Sequence, residues 1–276
     1  MWPERWDAER KLVSNHHPLY DSRVDMTDTI TFLGTADGLA NARCKHAALL
    51  ARLAGKTILL DAGEPCSRTL KQLGVGFGEL DAVIITHAHT DHIGGLPMLL
   101  QSMWLEGRRS ALRIWLPKQT IRPLLAWLDA CHLFVPRIGF AIRWSPITQP
   151  IRIGNVRIRA VRNSHLDATR AKFARRYPRA GYDAFSLLVE TPRCRFVYSA
   201  DIGAVNDLAP LCRQPLDLLI TELAHISATE LTAFVREHDI RRVVVTHVGR
   251  AQRQRVPRAL YANDGDIVDL RARAGY

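Results

Sequence analysis

Thr86-His87-Ala88-His89-Thr90-Asp91-His92 places three histidines and an aspartate within six residues. The preceding residues, Asp81-Ala82-Val83-Ile84-Ile85, read as a short buried strand that ends where the histidines begin. A turn after a strand can fold so that such side chains converge from different directions. Imidazole and carboxylate together suit zinc and similar divalent metals. A lone histidine reads as a surface or core residue; four ligand-type residues at this spacing read as a metal-binding motif.

Working outward, four more residues fall at expected strand ends: Asp61, His165, Asp201 and His247. Strand ends in α/β sheets are where sites are built. The two halves of the chain also share a pattern. In the first, a hairpin ending LLDAG (59–63) precedes the strand VIITH (83–87); in the second, a hairpin ending VYSAD (197–201) precedes VVVTH (243–247). Each hairpin ends near an Asp, and each later strand ends in Thr-His. Two similar β/α halves packed together, with helices on the outer faces, account for that repeat.

The remaining elements fit this layered α/β scheme. TITFLGTADG (29–38) reads as a strand entering a glycine-bearing loop, and residues 45–63 as two strands joined at Ala54-Gly55-Lys56. Residues 67–79 read as a short helix and loop. Gly94 and Gly95 break the chain before LPMLLQSMWLEG (96–107), whose apolar spacing is helical. LRIWLP (112–117) is a strand, and 119–134 a helix with Pro123 in its first turn. In the second half, VRIRAVRNSH, FSLLVETPRCRFVYSAD, DLLITE and RRVVVTH read as strands, ATELTAFVREH as an amphipathic helix, and Asp-Gly in NDGDIVDL as the turn before a last strand. Residues 1–28 show no clean periodicity and are expected to form an N-terminal extension ahead of one domain over 29–276.

The composition, 47% hydrophobic and 24% charged over 276 residues, supports a sizeable core. No apolar run reaches the roughly 20 residues of a membrane helix, and MWPERWDAERKLVSNHHP lacks an apolar signal core, so a cytoplasmic protein is expected. Cys44, Cys66, Cys131, Cys194 and Cys212 are odd in number and widely spaced, with no CxxC; they read as reduced thiols rather than metal ligands. The net charge of +11 comes from 32 Arg against 6 Lys. That surplus favours anionic partners, but scattered arginines also describe an ordinary solvated surface, and both readings stand at this stage.

In the order Asp61, His87-x-His89-x-Asp91-His92, His165, Asp201, His247, the ligand-type residues resemble the metallo-β-lactamase superfamily, from about residue 30 to the end. GTADG (34–38), LLDAGE (59–64) and HTDHIGGLPMLLQSMWLEGR (89–108) are similar to ribonuclease Z and its relatives. The resemblance implies a four-layer αββα sandwich. It implies that His87, His89 and His165 bind one metal, that Asp91, His92 and His247 bind another, and that Asp201 bridges both; Asp61 would orient the ligand loop without touching metal. The expected cofactors are two divalent ions, zinc first, with manganese or iron accepted by the same donors. The implied activity is hydrolysis by a metal-bridging hydroxide, with Asp91 orienting the nucleophile or taking its proton. Relatives often form homodimers, which makes a homodimer an expectation here too.

The proton donor for the leaving group has two readings. Glu222 and His225 could act together, as a Glu and a His do in ribonuclease Z relatives, or His225 could cap the following helix or face solvent. His46 could line the cleft, although a structural role weighs more. Arg170, Lys172, Arg175, Arg176 and Arg179 follow His165 and could form a phosphate-binding rim, or only a solvated helix. Ribonuclease Z usually carries a longer arm here, rich in glycine and proline, that grips transfer RNA; this chain has no obvious counterpart. Phosphodiester hydrolysis, on RNA, a cyclic nucleotide or a small phosphodiester, is the leading expectation. Lactone, thioester or carboxylic ester hydrolysis on the same two-metal site is the second. A nucleic-acid-binding protein with little turnover is a third, of another class.

Overall fold

The computed structural model describes residues 28–249, 252 and 254–271. Apart from Asp28, the N-terminal extension expected over 1–28 lies outside the described residues, with His16 and His17. The first sheet contains β1 (Thr29–Gly34), β2 (Ala48–Leu53), β3 (Lys56–Leu60), β4 (Ala82–Ile84), β5 (Leu112–Leu116), β6 (Ile142–Pro146) and β14 (Ile267–Asp269), in the order β14-β1-β2-β3-β4-β5-β6. The second contains β7 (Ile151–Ile153), β8 (Val156–Asn163), β9 (Ala184–Glu190), β10 (Arg195–Tyr198), β11 (Leu218–Leu223), β12 (Val243–Val248) and β13 (Leu260–Tyr261), in the order β13-β12-β11-β10-β9-β8-β7.

The alternation of side chains along each strand explains the layering. Ile58, Leu60, Ala82 and Ile84 from the first sheet and Phe196, Tyr198, Leu218 and Ile220 from the second form one core between the sheets. Their neighbours turn outward: Leu59 and Val83 pack beneath the helices α1 (Cys66–Gln72), α3 (Leu96–Leu105) and α4 (Ile121–Ala130). Val197, Leu219 and Val245 pack beneath α6 (Ala228–Glu237). In α3 the buried apolar side chains Leu96, Leu99, Leu100 and Met103 form one stripe of the helix surface, with Pro97 buried beside them in the first turn. Helices, sheet, sheet and helices therefore stack as the αββα sandwich expected from the resemblance.

Strand direction changes within each sheet and sets the site. β2 and β3 are antiparallel across the turn at Ala54-Gly55, both at positive φ, whereas β3, β4 and β5 run parallel. In the second sheet, β9 and β10 are antiparallel and β10, β11 and β12 run parallel. The parallel strands end on the same edge, so Asp61, Thr86, Asp201 and His247 emerge together from two sheets.

Two glycines lock the histidine motif onto this edge. A Cβ at Gly63 would lie 2.2 Å from the Asp91 carbonyl oxygen, and one at Gly95 within 3 Å of the Gly63 and Ala62 carbonyls. The gap they leave lets Ala62 N–H donate to His92 O at 2.7 Å and Gly95 N–H to Ala62 O at 2.8 Å. The motif itself runs into a single short turn, α2 (Thr90–Ile93).

Differences from the sequence reading are local. The helix expected over 119–134 is shorter, Ile121–Ala130 after a 3-10 turn at Lys118–Thr120, and the chain leaves it with His132 at positive φ. β6, β7 and β13 carry no clear sequence signal. The arginine surplus is not all solvated surface, because Arg108 is buried and donates to the carbonyls of Phe77, Leu80, Ser110 and Ala111.

All five cysteines are free thiols. Burial pushes the Cys66 thiol up to about 12. A group with that value stays protonated through neutral pH, and only the thiolate is nucleophilic, at roughly one molecule in ten thousand near pH 8. Native protein treated with iodoacetamide at pH 8 should therefore label exposed Cys131 quickly and Cys66 only after denaturant is added. Equal labelling rates, read by peptide mass spectrometry, would contradict this packing.

Candidate metal centre

Three site residues occupy strained backbone or directly follow it. Asp61 and His247 have φ of 59° and 49°, and Ala200, immediately before Asp201, has φ of 49°. Non-glycine residues there cost of order 1–3 kcal/mol each and persist where surrounding bonds over-determine them. Those bonds are present. Asp61 N–H donates to Ile84 O at 2.8 Å and His247 N–H to Thr35 O at 2.9 Å. Asn163 Nδ2 donates to Asp201 O at 2.9 Å, and Asn163 Oδ1 accepts from His165 N–H at 3.1 Å. One asparagine thus fixes the backbone of two candidate ligands.

The side chains form two groups of candidate metal ligands, each with its donor atoms mutually within 4.8 Å: His87, His89, His165 and Asp201, and Asp91, His92, Asp201 and His247. Asp201 belongs to both, and its two oxygens divide between them. Oδ2 lies 3.9 Å from His87 Nε2 and 3.7 Å from His165 Nε2. Oδ1 lies 3.1 Å from His92 Nε2 and 3.4 Å from His247 Nε2. His165 Nε2 is 3.2 Å from His89 Nδ1, and Asp91 Oδ2 is 3.5 and 3.8 Å from the Nε2 atoms of His92 and His247. Donors held tetrahedrally about one zinc at 2.0–2.2 Å are about 3.3–3.6 Å apart, so each group has the spacing of a coordination shell.

The donor atoms also fit a metal in their chemistry. His87 Nε2 and His92 Nε2 are buried with no hydrogen-bond partner, an unusual state for polar atoms unless something else meets them. Their opposite nitrogens are occupied. His92 Nδ1 donates to Asp61 Oδ2 at 2.8 Å, and His87 Nδ1 lies 3.1 Å from Thr86 Oγ1, whose own hydroxyl faces Asp61. Each such bond holds a proton on Nδ1 and turns Nε2 toward the site, where a metal ion would take its lone pair in place of a proton. Asp61 therefore reaches one imidazole of each group and belongs to neither group of candidate donors.

Electrostatics follow burial. Desolvation drives His87 well below the usual imidazole value and His165 to about 4, and lowers His89, which keeps all three neutral at pH 7. Burial opposes ionisation of Asp201, but His92 and His247 pull its carboxyl well below the carboxylate range. Burial likewise opposes charge on His92, which Asp201 and Asp61 raise well above the ordinary value.

An open cleft of about 270 Å³ lies over both groups, with Asp91, His89 and Asp201 on its floor and Leu39 and His225 on its walls. Glu222 is buried at the end of β11; its Oε2 accepts from the Ala224 and His225 backbone N–H groups, and its Oε1 lies 3.2 Å from His225 Nδ1. That hydrogen bond is the first cause raising the His225 imidazole. His225 does not cap α6: Ser227 does, accepting from Glu230 N–H at 3.2 Å, while Glu230 accepts from Ser227 N–H at 2.8 Å. His46 Nδ1 contacts Asp37 O at 3.1 Å and so braces the loop bearing Leu39. The basic residues after His165 lie on α5 (Asp167–Phe173) and its extension, exposed along their length. Tyr198 and Asn163 were not singled out by sequence reasoning.

A family model described as Anti-Pycsar protein Apyc1 matches residues 28–224. The chain belongs to the Apyc1 family. Among curated relatives, a ribonuclease Z of Bradyrhizobium diazoefficiens is 42% identical over 85 residues, covering 31% of this chain and 28% of that enzyme. This chain thus matches less than a third of that relative's length. Among solved structures, the metallo-β-lactamase fold protein YhfI from Bacillus subtilis superposes with a TM-score of 0.70 at 18% identity, over 87% of this chain and 98% of that one. The short form of human tRNase Z does so with a TM-score of 0.65 at 19% identity, over 88% and 99%. These two likenesses establish the metallo-β-lactamase fold of this Apyc1-family member.

If both groups hold metal through Asp201, Asp201→Ala should lose both ions after dialysis, and His87→Ala about one of two, measured by plasma mass spectrometry. Full retention of metal by Asp201→Ala would contradict the shared ligand.

Proposed function

We propose that this Apyc1-family protein is a metal-dependent hydrolase of phosphodiester bonds, with a dinuclear centre at the seven residues His87, His89, Asp91, His92, His165, Asp201 and His247. The division of the Asp201 oxygens between two groups of donors carries the reading. Zinc is the proposed ion, because every donor is imidazole or carboxylate; manganese and iron accept the same set. Bound divalent cations supply a hydroxide nucleophile near neutral pH and draw charge from the phosphoryl oxygens.

The chain's own residues supply the rest. Asp91 lies on the cleft floor, where its carboxylate can orient the attacking water or accept its proton. His225 faces the cleft with Nδ1 against Glu222, so its other nitrogen can pass a proton to the leaving oxygen. Until that transfer, buried Glu222 stabilises the charged imidazole. His46, bonded to the cleft loop, keeps that wall in place.

Two observations favour phosphodiesters over carboxylic esters, lactones or thioesters: the net charge of +11 and the sequence likeness to ribonuclease Z. Arg170, Lys172, Arg175, Arg176 and Arg179, exposed just beyond His165, favour an anionic substrate. The cleft is at the small end of ligand sites. It suits a small phosphodiester, a cyclic nucleotide or a strand end of RNA. One catalytic domain over 29–276 with an extension over 1–28 belongs to the same reading, as does a homodimer, for which exposed Met98 and Leu105 on α3 offer apolar surface. Among the described residues no helix is long and apolar enough to cross a membrane. The free thiols favour the cytoplasm.

Zinc- or manganese-loaded protein should hydrolyse bis(p-nitrophenyl) phosphate. Asp91→Ala should lower kcat by about 10²–10⁴-fold, and His225→Ala by about 10²-fold with metal content unchanged. Turnover of a lactone or thioester panel with none of the phosphodiester would move the reading to the ester class. Tight nucleic-acid binding with no metal-dependent turnover of any substrate would overturn the enzymatic reading altogether.

A further inference from the structure

One hydroxyl crosses from the second sheet to the first at the base of the site. Tyr198 is the last residue of β10, is buried, and donates through its hydroxyl to Asp61 Oδ2 at 2.9 Å. Asp61 stands at the end of β3, in the other sheet. Its remaining partners come from the first sheet's own edge. Oδ1 is held by Thr86 N–H at 2.7 Å and meets Thr86 Oγ1 at 3.0 Å. Oδ2 faces His92 Nδ1 at 2.8 Å and Thr86 Oγ1 at 2.9 Å. Among the described residues, Tyr198 is the second sheet's only hydrogen-bond donor to this carboxylate.

The two oxygens are therefore not equivalent. The backbone amide of Thr86 fixes Oδ1 whatever happens at Tyr198. Oδ2 orients His92, and the Tyr198 hydroxyl is its one tether outside the motif edge. Asp201 follows three residues after Tyr198, and its Oδ1 approaches the opposite nitrogen of the same ring, His92 Nε2, at 3.1 Å. The end of β10 thus governs His92 from both sides: through Asp61 at Nδ1 and through Asp201 at Nε2.

We propose that Tyr198 is a positioning residue for the Asp91–His92–His247 half of the centre: its hydroxyl fixes Asp61 Oδ2, and through it the tautomer and ring plane that aim His92 Nε2 at a metal ion. The inference rests on the two-metal reading above. Partners of this kind, one bond beyond the ligands, are worth about 10–100-fold in metal affinity. The Tyr198 effect should lie at the lower end, because Asp61 keeps its Thr86 and His92 bonds.

Tyr198→Phe removes one oxygen and preserves the ring in its apolar surroundings. The test is zinc titration of metal-free protein against a competing chromogenic chelator, together with the cobalt absorption spectrum at each equivalent. The expected result is one zinc bound as in the parent protein, the other about tenfold weaker, and a cobalt spectrum altered only at the weakened equivalent. In an Asp61→Asn background the same substitution should add nothing, because the hydroxyl acts through that carboxylate. Unchanged affinity for both ions would overturn the proposal. So would equal weakening of both together with a lower Tm of the metal-free protein, which is the mark of a packing role alone. If the parent protein itself binds fewer than two zinc ions, the two-metal reading fails and this inference falls with it.

Discussion

The buried carboxylate of Asp201 is the constraint around which the site is organised. A charge almost wholly removed from water is tolerated only when paired and hydrogen-bonded. Five imidazoles lie within 4 Å of its oxygens, His87, His165 and His225 about one and His92 and His247 about the other. Histidines supply little positive charge when burial keeps them neutral, as it does His87 and His165. A buried carboxylate among imidazoles, two of them with unpartnered buried Nε2 atoms, is an arrangement that divalent cations would complete.

The fold brings this cluster together by ending parallel strands of two sheets on one edge. Each sheet supplies part of the donor set: the first gives His87, His89, Asp91 and His92, the second His165, Asp201 and His247. Strained backbone at Asp61, Ala200 and His247 directs the chain at these strand ends. The stabilisation that holds it comes from the apolar core between the sheets and from a few bonds such as Asn163 to Asp201 O. The hydrogen bond from Tyr198 to Asp61 joins the halves directly beneath the donors.

Much of this was legible in the sequence because the signals were dense or periodic. The motif from His87 to His92 concentrates ligand chemistry in six residues, and the buried strands at 82–84, 218–223 and 243–248 each open on three consecutive apolar residues. The recurrence of LLDAG and VYSAD reflects two separate sheets, with one of these hairpins in each. Other features left no such mark. β7 is three residues at a sheet edge, and β6 mixes Arg143, Trp144, Ser145 and Pro146, so neither shows a clean alternation. Tyr198 carried no signal beyond its place in a hairpin, since its hydroxyl finds its partner 137 positions away. The choice between capping and proton donation at His225 depended on three-dimensional contacts: only the fold shows Ser227 taking the cap and Glu222 meeting the imidazole.

In the proposed centre one carboxylate, Asp201, couples two metal positions. Electron paramagnetic resonance of the protein titrated with manganese(II) tests that coupling most directly. The second equivalent should replace the isolated-ion spectrum with that of an exchange-coupled pair bridged by Asp201. Saturation at one ion, or two ions whose spectra simply add, would contradict it.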